Sequence, residues 1–131
     1  MKRLTLKRSL ELCKELWSWL RDNPNVTSKY DWPKWYRYNE VKDACFACEY
    51  AQLEYKKQHK KDRDLIITVC GNCPLKGLWG NKCTKNSSPY NKWYYAVTDK
   101  VRQKNADRIV DFCDKELNQL NENRSKNGKK N

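Results

Sequence analysis

This chain of 131 residues has a single histidine, His59, and that scarcity excludes much chemistry. A histidine–carboxylate hydrolase, an HNH-type nuclease and a two-histidine, one-carboxylate oxygenase each need more. A zinc deaminase needs a His-x-Glu element, and His59-Lys60-Lys61 does not supply one. His59 is expected on the surface, without a ligand role. Long apolar runs are also missing: none approaches the roughly 20 residues that span a bilayer, so no membrane partner is expected. The basic start, Met1-Lys2-Arg3-Leu4-Thr5-Leu6-Lys7-Arg8, is followed by no apolar h-region and no small-residue cleavage site. A signal peptide is therefore not expected, and the sequence reads as cytoplasmic. Hydrophobic residues are few, at 38 %, yet six Trp and eight Tyr bring aromatics to 12 %. A disordered chain is poor in such rings, so one small folded core is expected.

Charge is present in excess, at +12. Much of it is terminal: Lys2, Arg3, Lys7 and Arg8 at one end, Arg124, Lys126, Lys129 and Lys130 at the other. The body between is nearly balanced. The charge thus favours electrostatic association through the ends and does not by itself make a shaped nucleic-acid groove.

Hydrophobic periodicity organises the chain. Leu6, Leu10, Cys13, Leu16, Trp17 and Leu20 recur at helical spacing between about Thr5 and Asp22. Asn23-Pro24-Asn25 ends that helix, because a proline disfavours helix at the residue before it. Cys13 lies on the apolar stripe and reads as a small buried hydrophobe. A second helix is expected from Cys45 to about His59. Leu65-Ile66-Ile67-Thr68-Val69 is the one β signal, short and β-branched. Ser88 is a candidate N-cap and Pro89 suits the first helical position. From there one helix is expected to reach about Asn121 on a seam of Trp93, Val97, Val101, Ile109, Cys113, Leu117 and Leu120, interrupted at Asn105. The expected fold is mostly α with a minor β element, its N-terminal and long C-terminal helices packed around a central zinc knuckle module. Residues 1–123 read as one zinc-stabilised domain and 124–131 as a disordered basic tail.

Seven cysteines without an export signal argue against a disulfide framework. Two Cys-x-x-Cys pairs, Cys45/Cys48 and Cys70/Cys73, have a spacing close to that of a zinc site. Four thiolates suit Zn²⁺, and a two-residue spacer lets both sulfurs of a pair face one ion. Cys45 falls at a helix start, where the positive end of the dipole favours thiolate. Cys83 is a fifth candidate. A structural site takes four ligands, so the set is Cys45, Cys48, Cys70 and Cys73, or one in which Cys83 replaces Cys70 or Cys73. A redox role would want a βαβ setting, and only one strand is visible. One structural zinc ion is expected to hold residues 26–90 together.

Between Val26 and Ala44 aromatic and basic residues interleave: Lys29, Tyr30, Trp32, Lys34, Trp35 and Arg37, with Tyr36 and Tyr38. Two readings compete. The stretch is a stacking platform for single-stranded nucleic acid, or its rings cover a core too small to close by itself. Asp107, Asp111 and Asp114 lie at helical spacing among Lys104, Arg108 and Lys115, which reads as a salt-bridged face. No nucleophile stands beside a base, so no enzyme is expected.

The chain resembles a family of small bacteriophage- and prophage-encoded cysteine-motif proteins of largely unassigned function. The resemblance rests on the Trp17/Trp19 helix, Cys45-x-x-Cys48, Cys70-x-x-Cys73-Pro74-Leu75, Gly80-x-x-Cys83, and Ser88-Pro89-Tyr90 followed by Trp93. It covers most of residues 5–120 and departs at the basic, aromatic 29–38 stretch. It implies a zinc-dependent α-rich fold, a host cytoplasm and Cys83 as a ligand candidate, and it supplies no activity. Two functions are carried forward: a nucleic-acid-associated accessory factor, or a binder and modulator of a host or phage protein with zinc purely structural.

Overall fold

The computed structural model describes residues 3–61, 68–79 and 83–129. Helix α1 (Leu6–Asp22) starts where its sequence says it should: the Thr5 hydroxyl accepts the Arg8 N–H at 3.1 Å, satisfying one of the free donors of the first turn. Its buried face is Ser9, Leu10, Leu12, Cys13, Leu16, Trp17 and Leu20, the expected stripe slightly widened. Ser9 is tolerated there because its hydroxyl donates to the Leu6 carbonyl at 2.7 Å. Asn23 closes the helix, its backbone and side-chain N–H groups both donating to the Trp19 carbonyl.

Helix α2 (Phe46–Lys61) buries Phe46, Ala47 and Ala51 against α1. A short α3 (Lys76–Trp79) follows, then α4 (Pro89–Tyr94) and α5 (Asp99–Lys129). Helix α5 is 31 residues long, roughly 46 Å at the α-helical rise. It lies along α1 and α4, with Ala106, Ile109, Val110 and Cys113 buried on the α1 side. Arg21 bonds Asp107 at 3.2 Å and Lys14 meets Asp114 at 2.5 Å. Two of the three helically spaced acids therefore tie α5 to α1 and do not pair only within α5. Gly77 of α3 lets the Phe112 ring approach; a Cβ there would stand 3.2 Å from Phe112 Cζ.

The long C-terminal helix expected from Pro89 is broken in two. Ser88 caps α4 as expected, accepting the Asn91 N–H at 3.1 Å. The chain then leaves helix after Tyr94, and Thr98 starts α5 afresh, its hydroxyl accepting the Val101 N–H. Arg102 fixes the break. Its guanidinium, 8 % exposed, donates to the carbonyls of Pro24 at 2.7 Å and Ala96 at 3.0 Å, and to Asp99 at 2.5 Å. A continuous helix would use the Ala96 carbonyl for its own ladder. The seam residues Val97 and Val101 consequently face solvent, at 94 % and 42 % exposure. Asn105 is buried and donates back to the Val101 carbonyl at 2.9 Å. The backbone of α5 stays helical past Arg124, where the tail was expected to begin, to Lys129.

Among the described residues there is no strand. Of the expected β segment, Leu65–Ile67 lie outside them. The carbonyls of Thr68 and Val69 accept the N–H groups of Gly71 and Asn72, so local turn bonds occupy groups that a strand would use between chains. Among the described residues no helix is long and apolar enough to cross a membrane.

Candidate metal centre and aromatic faces

Three segments bring the five clustered cysteines to one cavity. Cys45 and Cys48 come from the start of α2, Cys70 and Cys73 from a 3₁₀ turn over Cys70–Asn72, and Cys83 from the approach to α4. All five line a cavity of about 290 Å³, together with Cys13. The entry to α2 is a tight backbone reversal: Asp43 and Ala44 have φ of 57° and 49°, the left-handed region that L residues rarely occupy. That reversal turns Cys45 onto the end of the helix. Its Sγ accepts the Cys48 N–H at 3.2 Å. Hydrogen bonding with the Cys48 thiol holds the Cys45 pKa down to about 7, against burial, with help from Lys29 and the N–H groups of Cys48 and Ala47. The same thiol–thiol hydrogen bond, with burial, raises Cys48. Burial pushes Cys73 up to about 12, opposed by the Leu75 N–H, and raises Cys83. The Gly71 N–H donates to the hydroxyl and carbonyl of Thr68.

The donor chemistry fits a thiophilic ion. Neutral thiols in such a cavity would be poor company for a cation, yet Lys29 lines it. Among the described residues no carboxylate forms an ion pair with Lys29, whose ammonium lies 4.7 Å over the Tyr90 ring. Burial lowers its pKa, and Cys45, the Tyr90 hydroxyl and Cys48 outweigh that, leaving it above the ordinary lysine value. The sulfurs line the walls and do not stand as a closed ligand set: among the described residues no three His, Cys, Asp or Glu side chains are grouped to hold a metal. Cys70 is the exposed member, Cys73 is buried, and Cys45, Cys48 and Cys83 are intermediate. Cys13 and Cys113 are buried core thiols, as their apolar stripes imply. His59 is half-buried and not fully exposed as expected, its ring 4.1 Å from that of Tyr55 one helical turn earlier.

The 29–38 stretch divides. Trp32 is 3 % exposed, and with Trp35 and Tyr38 it surrounds Phe46; ring centroids lie 5.0 Å apart for Trp35–Phe46 and 5.2 Å for Tyr38–Phe46. The Trp35 indole N–H donates to the Lys29 carbonyl at 2.7 Å. Lys34 is bonded to Glu15 of α1, and Arg37 folds over its neighbour Tyr36. These rings close the core around α2. Lys29 and Tyr30 instead turn toward Tyr90, Trp93 and Tyr94 of α4. Sequence reasoning missed that second face. The single helix expected from Pro89 runs through Tyr90, Tyr94 and Tyr95, because a break after Tyr94 has no signal in hydrophobic spacing. The Trp93 indole Nε1 is buried on the same face, without a hydrogen-bond partner among the described residues.

No family model matches the chain, and no curated protein or solved structure matches it.

Proposed function

We propose that this protein is a small helical binding factor, non-enzymatic, whose central segments are held by one structural zinc ion, and that it associates with nucleic acid. The observation that carries the metal reading is that Cys45, Cys48, Cys70, Cys73 and Cys83, spread over 39 positions of sequence, line one cavity beside a lysine with no ion-pairing carboxylate among the described residues. The favoured ligands are Cys45, Cys48, Cys73 and Cys83, because Cys70 is the exposed thiol. Four thiolates on Zn²⁺ leave a net charge of −2, of which Lys29 would offset half. Bound zinc would supply folding free energy, on the order of 10 kcal/mol, where few aliphatic side chains pack. The residues' own part is to present thiolates: the N–H groups at the start of α2 and Lys29 stabilise that charge.

Metal analysis of the purified protein tests this. One zinc per chain, released by a chelator only under denaturing conditions, is expected; no zinc in protein purified without chelator overturns it. The net charge of +12 supports the nucleic-acid association. A second reading, a modulator that binds a host or phage protein, is favoured by the exposed Val97 and Val101 beside Tyr94 and Tyr95. A stoichiometric protein partner whose capture is lost in Val97→Asp would establish it.

A further inference from the structure

Four tyrosines, Tyr30, Tyr90, Tyr94 and Tyr95, line two adjoining grooves. Tyr30, Tyr94 and Tyr95 are 64 %, 59 % and 72 % exposed, and the Tyr94 ring contacts those of both Tyr90 and Tyr95. Two grooves meet at Tyr90 and Tyr94. One, of about 460 Å³, is walled by Ser28, Lys29, Tyr30 and Trp93. The other, of about 700 Å³, is walled by Thr84, Asn86, Asn91 and Tyr95. Monomeric proteins seldom expose large rings in a contiguous patch without a use for them.

We propose that the two grooves form one track for single-stranded nucleic acid, with Tyr30, Tyr94 and Tyr95 as its stacking rings; this rests on the nucleic-acid reading above and gives it a site. Charge selects the occupant. Between Asp64 and Asp99 the sequence contains no Asp or Glu, while Lys76, Lys82, Lys85 and Lys92 all fall there. Lys85 and Lys92 flank the rings in sequence and are exposed. Among the described residues Asp43 is the one carboxylate that lines either groove, and Lys29 lines the same one. Lysines beside the rings with few acids among them suit a phosphate backbone better than a protein partner of ordinary composition. The ring faces select the strand state. Stacking on tyrosine needs an unpaired base, which a duplex does not offer. The Asn86 and Asn91 amides and the Ser28 and Thr84 hydroxyls supply donors and acceptors at the edges without fixing a sequence.

The test is fluorescence anisotropy with zinc-loaded full-length protein, a short oligo(dT) or oligo(U), and a duplex of equal length, over a salt series. Tyr94→Ala with Tyr95→Ala is expected to weaken single-strand binding at least about tenfold and duplex binding by less than about twofold. Tyr94→Phe with Tyr95→Phe keeps the rings and is expected to retain the affinity. Lys85→Ala with Lys92→Ala is expected to flatten the single-strand salt slope by about 1.4 in log–log units. Single-strand binding that both tyrosine pairs leave unchanged overturns the track and leaves the nucleic-acid reading standing, carried by the basic ends. Equal loss in the Phe and Ala variants overturns stacking. No binding of any nucleic acid at low salt overturns both.

Discussion

The Lys29 ammonium lies 4.7 Å from the centre of the Tyr90 ring, and these two side chains are shared between the cysteine cavity and the first tyrosine groove. One contact therefore joins the proposed metal site to the proposed binding face. Burial also raises the Tyr90 pKa, opposed by Lys29, so the phenol stays protonated beside the ammonium at neutral pH.

Replacing Lys29 by Met keeps the stem and removes the charge. An anionic zinc–thiolate group would lose its nearest counter-charge. Zinc affinity, measured by competition with a chromogenic chelator, is expected to fall about tenfold or more, the usual effect of an outer partner of a metal site. Lys29→Arg is expected to restore part of it. Unchanged affinity in Lys29→Met would mean that the lysine serves only the aromatic contact.

Removing the metal should divide the molecule. Helices α1 and α5 bury Leu16, Leu20, Ile109 and Cys113 against one another without any cysteine pair. The 3₁₀ turn at Cys70–Asn72 packs on α2 and is hydrogen-bonded to it through the Gln58–Asn72 amide pair, at 3.2 Å. Hydrogen exchange after chelation is expected to show protection lost first around residues 68–79 and the start of α2, while the middle of α1 and α5 stays protected. Binding of single-stranded nucleic acid should fall with it, because Lys29 and Tyr90 form a wall of both sites. Uniform loss of protection would show a single cooperative unit.

Arg102 is the joint of the α4–α5 break. Arg102→Ala leaves the Pro24 and Ala96 carbonyls without their donor and is expected to cost about 3 kcal/mol in urea unfolding. Arg102→Lys should recover little, since one ammonium cannot reproduce the fork that meets Pro24, Ala96 and Asp99 together. A loss below about 1 kcal/mol for Arg102→Ala would show that packing alone sets the break.

Burial, helped by Asp114 and Glu116 and opposed by Lys14, pushes the Cys113 thiol up to about 12 from an ordinary value of 9.0. Between those values the folded chain holds a proton at Cys113 that the unfolded chain has released. Its contribution is full below pH 9 and is lost as pH rises toward 12. The urea midpoint is expected to fall more steeply over this range in the wild type than in Cys113→Ala. Equal slopes would remove Cys113 from the alkaline transition.

What was legible in the sequence follows from what is local. The α1 stripe, the Thr5 and Ser88 starts and the Asn23 end are set by residues within one or two turns, so spacing and capping chemistry sufficed. The two-residue spacers of Cys45/Cys48 and Cys70/Cys73 singled those thiols out, and with Cys83 they line one cavity, though among the described residues they do not form a closed ligand set. The 29–38 residues were ambiguous for a physical reason: a ring that stacks on a base and a ring that covers Phe46 are the same residue type. Only the neighbours differ.

The amino-acid sequence by itself thus determined the buried face of α1 and the starts of α1 and α4, since these follow from periodicity and local capping. Tertiary structure decided the rest. It turned Trp32 and Trp35 inward onto Phe46, and it broke the last helix where Arg102 reaches a carbonyl 78 residues away. That break left Tyr94, Tyr95 and Val97 in solvent, beside Tyr30 from a distant segment. Contacts between segments so far apart leave no period in the sequence, because the energy that selects them is that of the closed fold.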